Sequence, residues 1–203
     1  MLNLEKNFLK KRILIYGLGK SGLSTYSYLK KNNIISLYDD RIITKKNIKD
    51  THTTYKEIIK KEFDCIIISP GIDINKCKLS RFLKKNHKKI YTDLDIFYSR
   101  YAFNQKITIT GTNGKSTTAK LLYDILKDQK KDVRLVGNIG NPVLLEKKIK
   151  KDTLFVIEAS SYQLEYSKLF KTNISLILNI SPDHLERHKT INKYVSAKFK
   201  LIK

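Results

Sequence analysis

A chain of 203 residues that is 41% hydrophobic and 30% charged can fill one or two packed domains and is too apolar to stay disordered. No apolar run reaches bilayer-spanning length, and the opening ten residues lack the apolar core of a secretory signal, so no membrane insertion is expected. The net charge of +22 would suit nucleic acid or an anionic surface, but its lysines fall in every segment rather than in one stripe. No nucleic-acid footprint is therefore read from it, because such footprints cluster. Cys65 and Cys77 have neither metal-binding nor redox spacing and read as reduced thiols of a cytoplasmic protein.

Short apolar runs alternate with helical patterns along the chain, which predicts parallel sheets with crossover connections. Strands are expected at Ile13–Tyr16, Ile34–Tyr38, Cys65–Ser69 and Lys89–Tyr91, then at Ile107–Thr110, Val133–Val136, Leu154–Glu158 and Ile174–Asn179. Several are nearly continuous β-branched runs, as strands covered on both faces should be. Thr118, Leu121, Leu122 and Ile125 recur at helical spacing after the second Gly-rich turn. Each series opens with a strand and a Gly-rich turn, so two α/β units are expected, residues 1–91 and 92–203. The stretch from Ile191 to Lys203 reads as a helix with no closing Gly or Pro, and the chain is expected to be cut short.

The first turn, Gly17-Leu-Gly-Lys-Ser-Gly22, fits G-x-G-x-x-G between a strand and a helix, and Asp39 follows the next strand 17 residues beyond Gly22. Glycines allow close approach of backbone to a pyrophosphate, the helix end offers N–H groups, and the acid can meet a ribose hydroxyl. The pattern does not choose between NAD and a UDP-linked ligand. Ser69-Pro-Gly-Ile72 adds a loop at the carboxyl edge of the same sheet, where open α/β sheets bind ligands.

The second loop, Gly111-Thr-Asn-Gly-Lys-Ser-Thr117, is the strongest signal. Backbone N–H groups from Gly111 through Thr112, Asn113 and Gly114 to Ser116 can wrap a phosphate of ATP, and Lys115 brings a cation to the β/γ oxygens. Ser116 or Thr117 can offer a hydroxyl to Mg²⁺. The loop is not the usual Walker A form, because Ile109 stands where that pattern has its first Gly.

Taken together, the ordered segments resemble the Mur ligases, which add amino acids to UDP-N-acetylmuramoyl peptides. Beyond the two loops they are Asp39-Asp-Arg41, Ser69-Pro-Gly-Ile72, Asp93-Leu-Asp-Ile-Phe97, Gly137-Asn-Ile-Gly140, Glu158-Ala-Ser-Ser-Tyr-Gln-Leu-Glu165, Asn179-Ile-Ser-Pro-Asp-His-Leu-Glu-Arg-His188 and Ala197-Lys198. The resemblance implies a Rossmann-like N-terminal domain followed by an incomplete P-loop ATPase-like central domain, with the C-terminal amino-acid-binding domain absent. It implies an ATP-dependent ligase acting through an acyl phosphate, with UDP-N-acetylmuramoyl-L-alanine and D-glutamate as substrates, ATP and Mg²⁺ as cofactors, and a monomeric protein.

By the same resemblance Lys115, His184 and Lys198 are catalytic. Ser116 and Glu158 hold one metal ion, and Glu158 and His184 a second, supported by Lys198 as a carbamate. The UDP substrate meets Gly17, Lys20, Ser21, Gly22, Asp39, Asp40, Arg41 and Gly71, with Asn138 and His184 on its sugar-peptide arm. The family usually has a neutral residue where Asp40 stands. Three other readings compete: a folate-glutamate ligase, an NAD-dependent oxidoreductase and a basic nucleic-acid binder. The first lacks the leading Gly-rich domain, the second leaves the Gly111 loop unexplained, and the third explains neither loop. A fragment that binds UDP substrate and ATP without turnover stays open beside the active ligase.

Overall fold

In the computed structural model, which describes residues 4–41 and 53–202, all eight expected strands form and every pairing between them is parallel. They make two four-stranded sheets, one in each of two compact units, residues 1–100 and 101–203.

The first unit is built on β1 (Arg12–Tyr16), β2 (Ile34–Tyr38), β3 (Cys65–Ile68) and β4 (Ile90–Tyr91), in the order β2-β1-β3-β4. The two apolar strands β1 and β3 sit inside, with Ile13 beside Ile35 on one flank and Cys65 on the other. Four helices accompany the sheet: α1 (Lys20–Leu29), α2 (Tyr55–Lys60), α3 (Ser80–Lys85) and α4 (Asp93–Arg100). Helix α4 was expected to open the second unit but packs with the first, against α1 and the 3-10 turn Leu4–Phe8. It buries Leu94, Ile96 and Phe97, and the carboxylate of Asp95 caps its start by accepting from the Thr92 N–H at 2.9 Å. The compact units consequently divide after Arg100 rather than near Tyr91.

The second unit orders its strands β6-β7-β5-β8, with β5 (Lys106–Thr110), β6 (Val133–Gly137), β7 (Leu154–Glu158) and β8 (Ile174–Ile177). Helix α5 (Lys115–Asp128) lies on β5, β6 and β7, where Leu122, Tyr123 and Leu126 join a core of Ile109, Ala119, Val133 and Val156. Three further helices follow: α6 (Ser161–Glu165), α7 (Leu185–His188) and α8 (Ile191–Phe199). Strand β8 stops short of the expected Asn179, because that residue turns away to the phosphate loop. The terminal helix ends at Phe199 and tightens into a 3-10 turn, Lys200–Ile202. Lys203, the last residue expected in it, lies outside the described residues.

At the start of β5, Lys106 is buried, and its ammonium donates to the carbonyls of Tyr101, Ala102 and Asn104. This satisfies a tight turn from inside, and burial pulls the amine down to about 8.

One glycine fixes how α1 meets β1. A Cβ on Gly22 would fall 1.9 Å from the carbonyl oxygen of Gly17, a backbone atom that cannot yield without opening the turn. The Gly22→Ala variant should lose roughly 3 kcal/mol of stability, read as a lower urea midpoint of the transition that unfolds the first unit.

Candidate functional site

In the first unit the Gly-rich turn places Gly19 at the start of α1 with no side-chain cap, so the leading N–H groups of the helix face outward. A Cβ at Gly19 or Gly71 would meet nothing within 4 Å, which leaves backbone open to approach at both. Lys20 and Arg41 are exposed, and Ser21 is half-buried. Asp39 does more than stand at a strand end. One carboxylate oxygen accepts from the Leu18 N–H at 2.7 Å and the other from the Arg41 N–H at 3.0 Å, so Asp39 ties the Gly turn to the neighbouring loop.

Asp40 is half-buried and meets Lys78. One of its oxygens accepts the Lys78 N–H at 3.3 Å, and the other is buried beside the equally buried Tyr16 hydroxyl. Beneath the turn, buried Asp93 faces the Ser21 side chain and accepts the Leu94 N–H at 3.0 Å.

Burial raises the Asp93 carboxyl above its ordinary value, and its hydrogen bonds with Ser21 and the Leu94 N–H only partly offset this. A raised folded-state pKa favours folding while the group is protonated, and that contribution is lost as pH rises through it. Asp93→Asn should therefore stabilise the first unit at pH 7, and the gain should shrink as the pH is lowered towards 4. Thermal melts of both proteins across that range measure the difference.

The second unit assembles a denser site. The loop after β5 reaches α5 through Gly114, whose φ of +82° is left-handed and suits glycine at the helix start. Helix α5 has no side-chain cap, so its first turn presents N–H groups to an anion. The Thr112 and Asn113 N–H groups, expected to join them, are spent within the protein. They donate to the backbone and side-chain oxygens of Asn179 at 3.0 and 2.9 Å, and the Asn179 amide returns a bond to the Asn113 carbonyl at 3.1 Å. In this structure the N–H groups left to meet an anion are those at the start of α5. The Lys115 ammonium rests on the Thr112 carbonyl at 2.6 Å, within the same loop.

Glu158 ends β7 opposite Gly137 and is wholly buried. Its oxygens accept from the Ser116 hydroxyl and the Asn138 amide, each at 2.8 Å. A buried carboxylate met by two neutral donors beside a phosphate loop suits a hard divalent cation sharing oxygen ligands with a phosphate. Among the described residues no three His, Cys, Asp or Glu side chains gather as a ready metal cluster. The expected metal set rests instead on a serine hydroxyl, one carboxylate, one histidine and a modified lysine.

Lys198, on α8, is also buried, and its ammonium donates to the Gly111 carbonyl at 2.7 Å and lies 4.6 Å from the ring centre of Tyr194. Burial first, and then the nearby Lys115 charge, lower its pKa to about 8. Tyr194 in turn meets the Thr112 hydroxyl at 3.0 Å. His184 is held in a left-handed conformation, φ +52°, at the head of α7, a backbone state that β-carbon sterics disfavour. Its ring packs 4.7 Å from that of Tyr162 and faces Asp183 and Glu186 at 3.4 and 3.8 Å.

The structure thus brings Lys115, Ser116, Glu158, Asn138 and Lys198 into one hydrogen-bonded neighbourhood around the loop. Asn179, Tyr194 and Tyr162 were not singled out by residue chemistry. Two of them lie inside quoted segments, and Tyr194 falls four residues before Lys198 on the same helix face.

An α/β unit with a Gly-rich loop entering an uncapped helix, a buried carboxylate beside that loop and a buried lysine on its other side offers an arrangement suited to a phosphate and a divalent cation. Comparison with known proteins takes this further. Residues 11–90 match the family model "Mur ligase MurD-like, N-terminal domain", and residues 109–203 match "Mur ligase middle domain". The chain is 36% identical over 197 residues to UDP-N-acetylmuramoylalanine--D-glutamate ligase of Rickettsia bellii, with 95% of this chain and 43% of that protein aligned. The protein of the same name from Wolbachia pipientis wMel is 37% identical over 209 residues, covering 99% of this chain and 40% of that one.

A solved structure, the UDP-N-acetylmuramate:L-alanyl-gamma-D-glutamyl-meso-diaminopimelate ligase of Neisseria meningitides, superposes with a TM-score of 0.60 at 14% identity. It covers 95% of this chain and 68% of that one, a likeness of fold. The chain belongs to the Mur ligase family, of which it carries the N-terminal and middle domains. It spans less than half the length of the curated relatives it matches.

Proposed function

We propose that this chain provides the UDP-substrate-binding and ATP-binding parts of a cytoplasmic, monomeric ligase that joins D-glutamate to UDP-N-acetylmuramoyl-L-alanine for peptidoglycan. The observation that carries the reading is the Ser116–Glu158–Asn138 network set against the uncapped start of α5. A relative's substrate name and the Gly17–Gly22 turn support UDP substrate on residues 1–91, with residues 92–203 taking ATP. No helix among the described residues is long and apolar enough to cross a membrane.

In this reading the substrate carboxylate attacks the γ-phosphorus of ATP, ADP leaves, and an acyl phosphate results. The amine of D-glutamate then attacks the acyl carbon, phosphate leaves with the C–O bond, and the amine's proton passes to solvent or a base. Two anions approach each other in the first step, so positive charge must be fixed in place beforehand. Lys115 does this by moving from the Thr112 carbonyl to the β/γ oxygens. Ser116 and Glu158 would hold one Mg²⁺, and Glu158 and His184 a second, with Lys198 as a carbamate beside it. Bound Mg²⁺ supplies charge neutralisation and orientation of phosphate and carboxylate oxygens. The lowered pKa of Lys198 supports this role, because carbamate formation needs a neutral amine. In the first unit the α1 N–H groups, Lys20 and Ser21 take the pyrophosphate.

The relatives' greater length favours a second reading, in which this chain binds both ligands without turnover. Calorimetric titration with UDP-N-acetylmuramoyl-L-alanine, NAD and Mg·ATP separates the classes, and D-glutamate-dependent phosphate release separates the two ligase readings. Binding of UDP substrate and ATP is expected. Tight NAD binding without UDP-substrate binding would sink the ligase assignment.

A further inference from the structure

We infer that Arg187, through its ion pair with Glu165, is a positioning residue that sets His184 for metal and substrate. The inference rests on the ligase reading above and adds a role to two residues outside the phosphate loop.

The guanidinium of Arg187 forks onto one oxygen of Glu165, with Nε and Nη2 each at 2.9 Å. The arginine side chain is 7% exposed and the glutamate side chain 20%, so water screens the pair poorly. The guanidinium carbon lies 5.2 Å from the ring centre of Tyr162 and 5.5 Å from that of Tyr166, which fixes its plane between two aromatic rings.

Tyr162 carries the constraint onward. Its ring packs on His184 at 4.7 Å and stacks with His188 at 5.7 Å, while its hydroxyl donates to Glu186 at 3.0 Å. The backbone closes the same circuit, since the Arg187 and His188 N–H groups both donate to the His184 carbonyl, at 3.1 and 3.0 Å. The buried imidazole of His188 meets the Ser161 hydroxyl at 3.0 Å.

Helices α6 and α7 are only five and four residues long and cannot hold a position by their own hydrogen bonds. The ion pair and the rings join them. Because α6 begins just after Glu158 on β7, the device relates the histidine to the carboxylate. A left-handed histidine persists only where its surroundings over-determine it, and Arg187, Tyr162 and Glu165 are those surroundings.

The test uses the intact chain with ATP, titrated once in EDTA and once in Mn²⁺; the ratio of the two affinities is the metal increment. The imidazole signal of His184, identified by its loss in His184→Ala, is followed by NMR for paramagnetic broadening by Mn²⁺. Arg187→Met and Glu165→Gln should each leave the EDTA affinity within about twofold and reduce the metal increment by about tenfold, with weaker broadening of His184. Arg187→Lys should recover part of the increment, since it keeps the charge without the planar fork. Glu165→Gln keeps volume and an acceptor and so answers the question if Arg187→Met does not fold.

Arg134→Met serves as the matched control. Arg134 stands on the edge strand β6, and its loss removes partly buried ion pairs with Asp132 and Glu146; it should lower stability without touching the increment. A full increment and full broadening in both Glu165→Gln and Arg187→Met overturn the inference. A wild-type chain with no metal increment overturns the ligase reading instead.

Discussion

Replacing Lys115 by Ala is expected to weaken ATP binding by roughly 100-fold, about 3 kcal/mol, and to leave UDP-substrate binding unchanged. The ammonium sits in the loop that leads into α5 and needs only to exchange the Thr112 carbonyl for a phosphate oxygen. A bond between two charged groups beside a helix N-terminus is stronger than the neutral contact it replaces. Alanine removes the cation and leaves the cradle N–H groups, so residual binding persists. Calorimetry with each ligand separately measures both halves of the expectation. Equal ATP affinity in variant and parent would remove Lys115 from the phosphate site.

Glu158→Gln should abolish most of the Mg²⁺-dependent gain in ATP affinity, about 2 kcal/mol or roughly 30-fold, while the metal-free protein melts no lower than the parent. The two effects have opposite signs for one reason. The carboxylate is wholly buried and is met by neutral donors, so its charge is costly to the fold and useful to a cation. Glutamine has the same shape and can still accept from Ser116, and Asn138 can turn its amide to accept from the new N–H₂ group. A melting temperature several degrees lower without metal would mean that the charge holds the strands together, contrary to a site built for a ligand.

Much of this was legible because the relevant signals are local. Strand after strand matched its apolar run, and both Gly-rich turns fell between a strand and a helix as their residues required. The difference between the expected boundary and the division of the compact units has another origin. Helix α4 buries its two aspartates together with its apolar residues, and the sequence does not say against which neighbour. Packing on α1 decided it.

Asp40 and Asn179 teach a similar lesson about sites. Asp40 sits among ligand-type residues, and Lys78 arrives from 38 positions away to meet both its side chain and its carbonyl. Asn179 reads as the end of an apolar strand, but its side chain completes a loop 66 positions earlier. Pairings at such separation leave no periodicity in the sequence. The buried state of Lys198 is equally silent in a chain with 41 Lys and Arg residues.

The pair of hydrogen bonds between the Asn179 side chain and the backbone of Asn113 has a kinetic meaning. A loop already closed by its own protein has little conformational freedom left to surrender when a ligand arrives. Association of ATP should then be limited by diffusion and by the swing of a single lysine side chain, a nanosecond event, rather than by slow ordering of the segment. Differences in affinity among nucleotides would appear in how long each one stays, and the entropy of binding would report displaced water more than an immobilised chain.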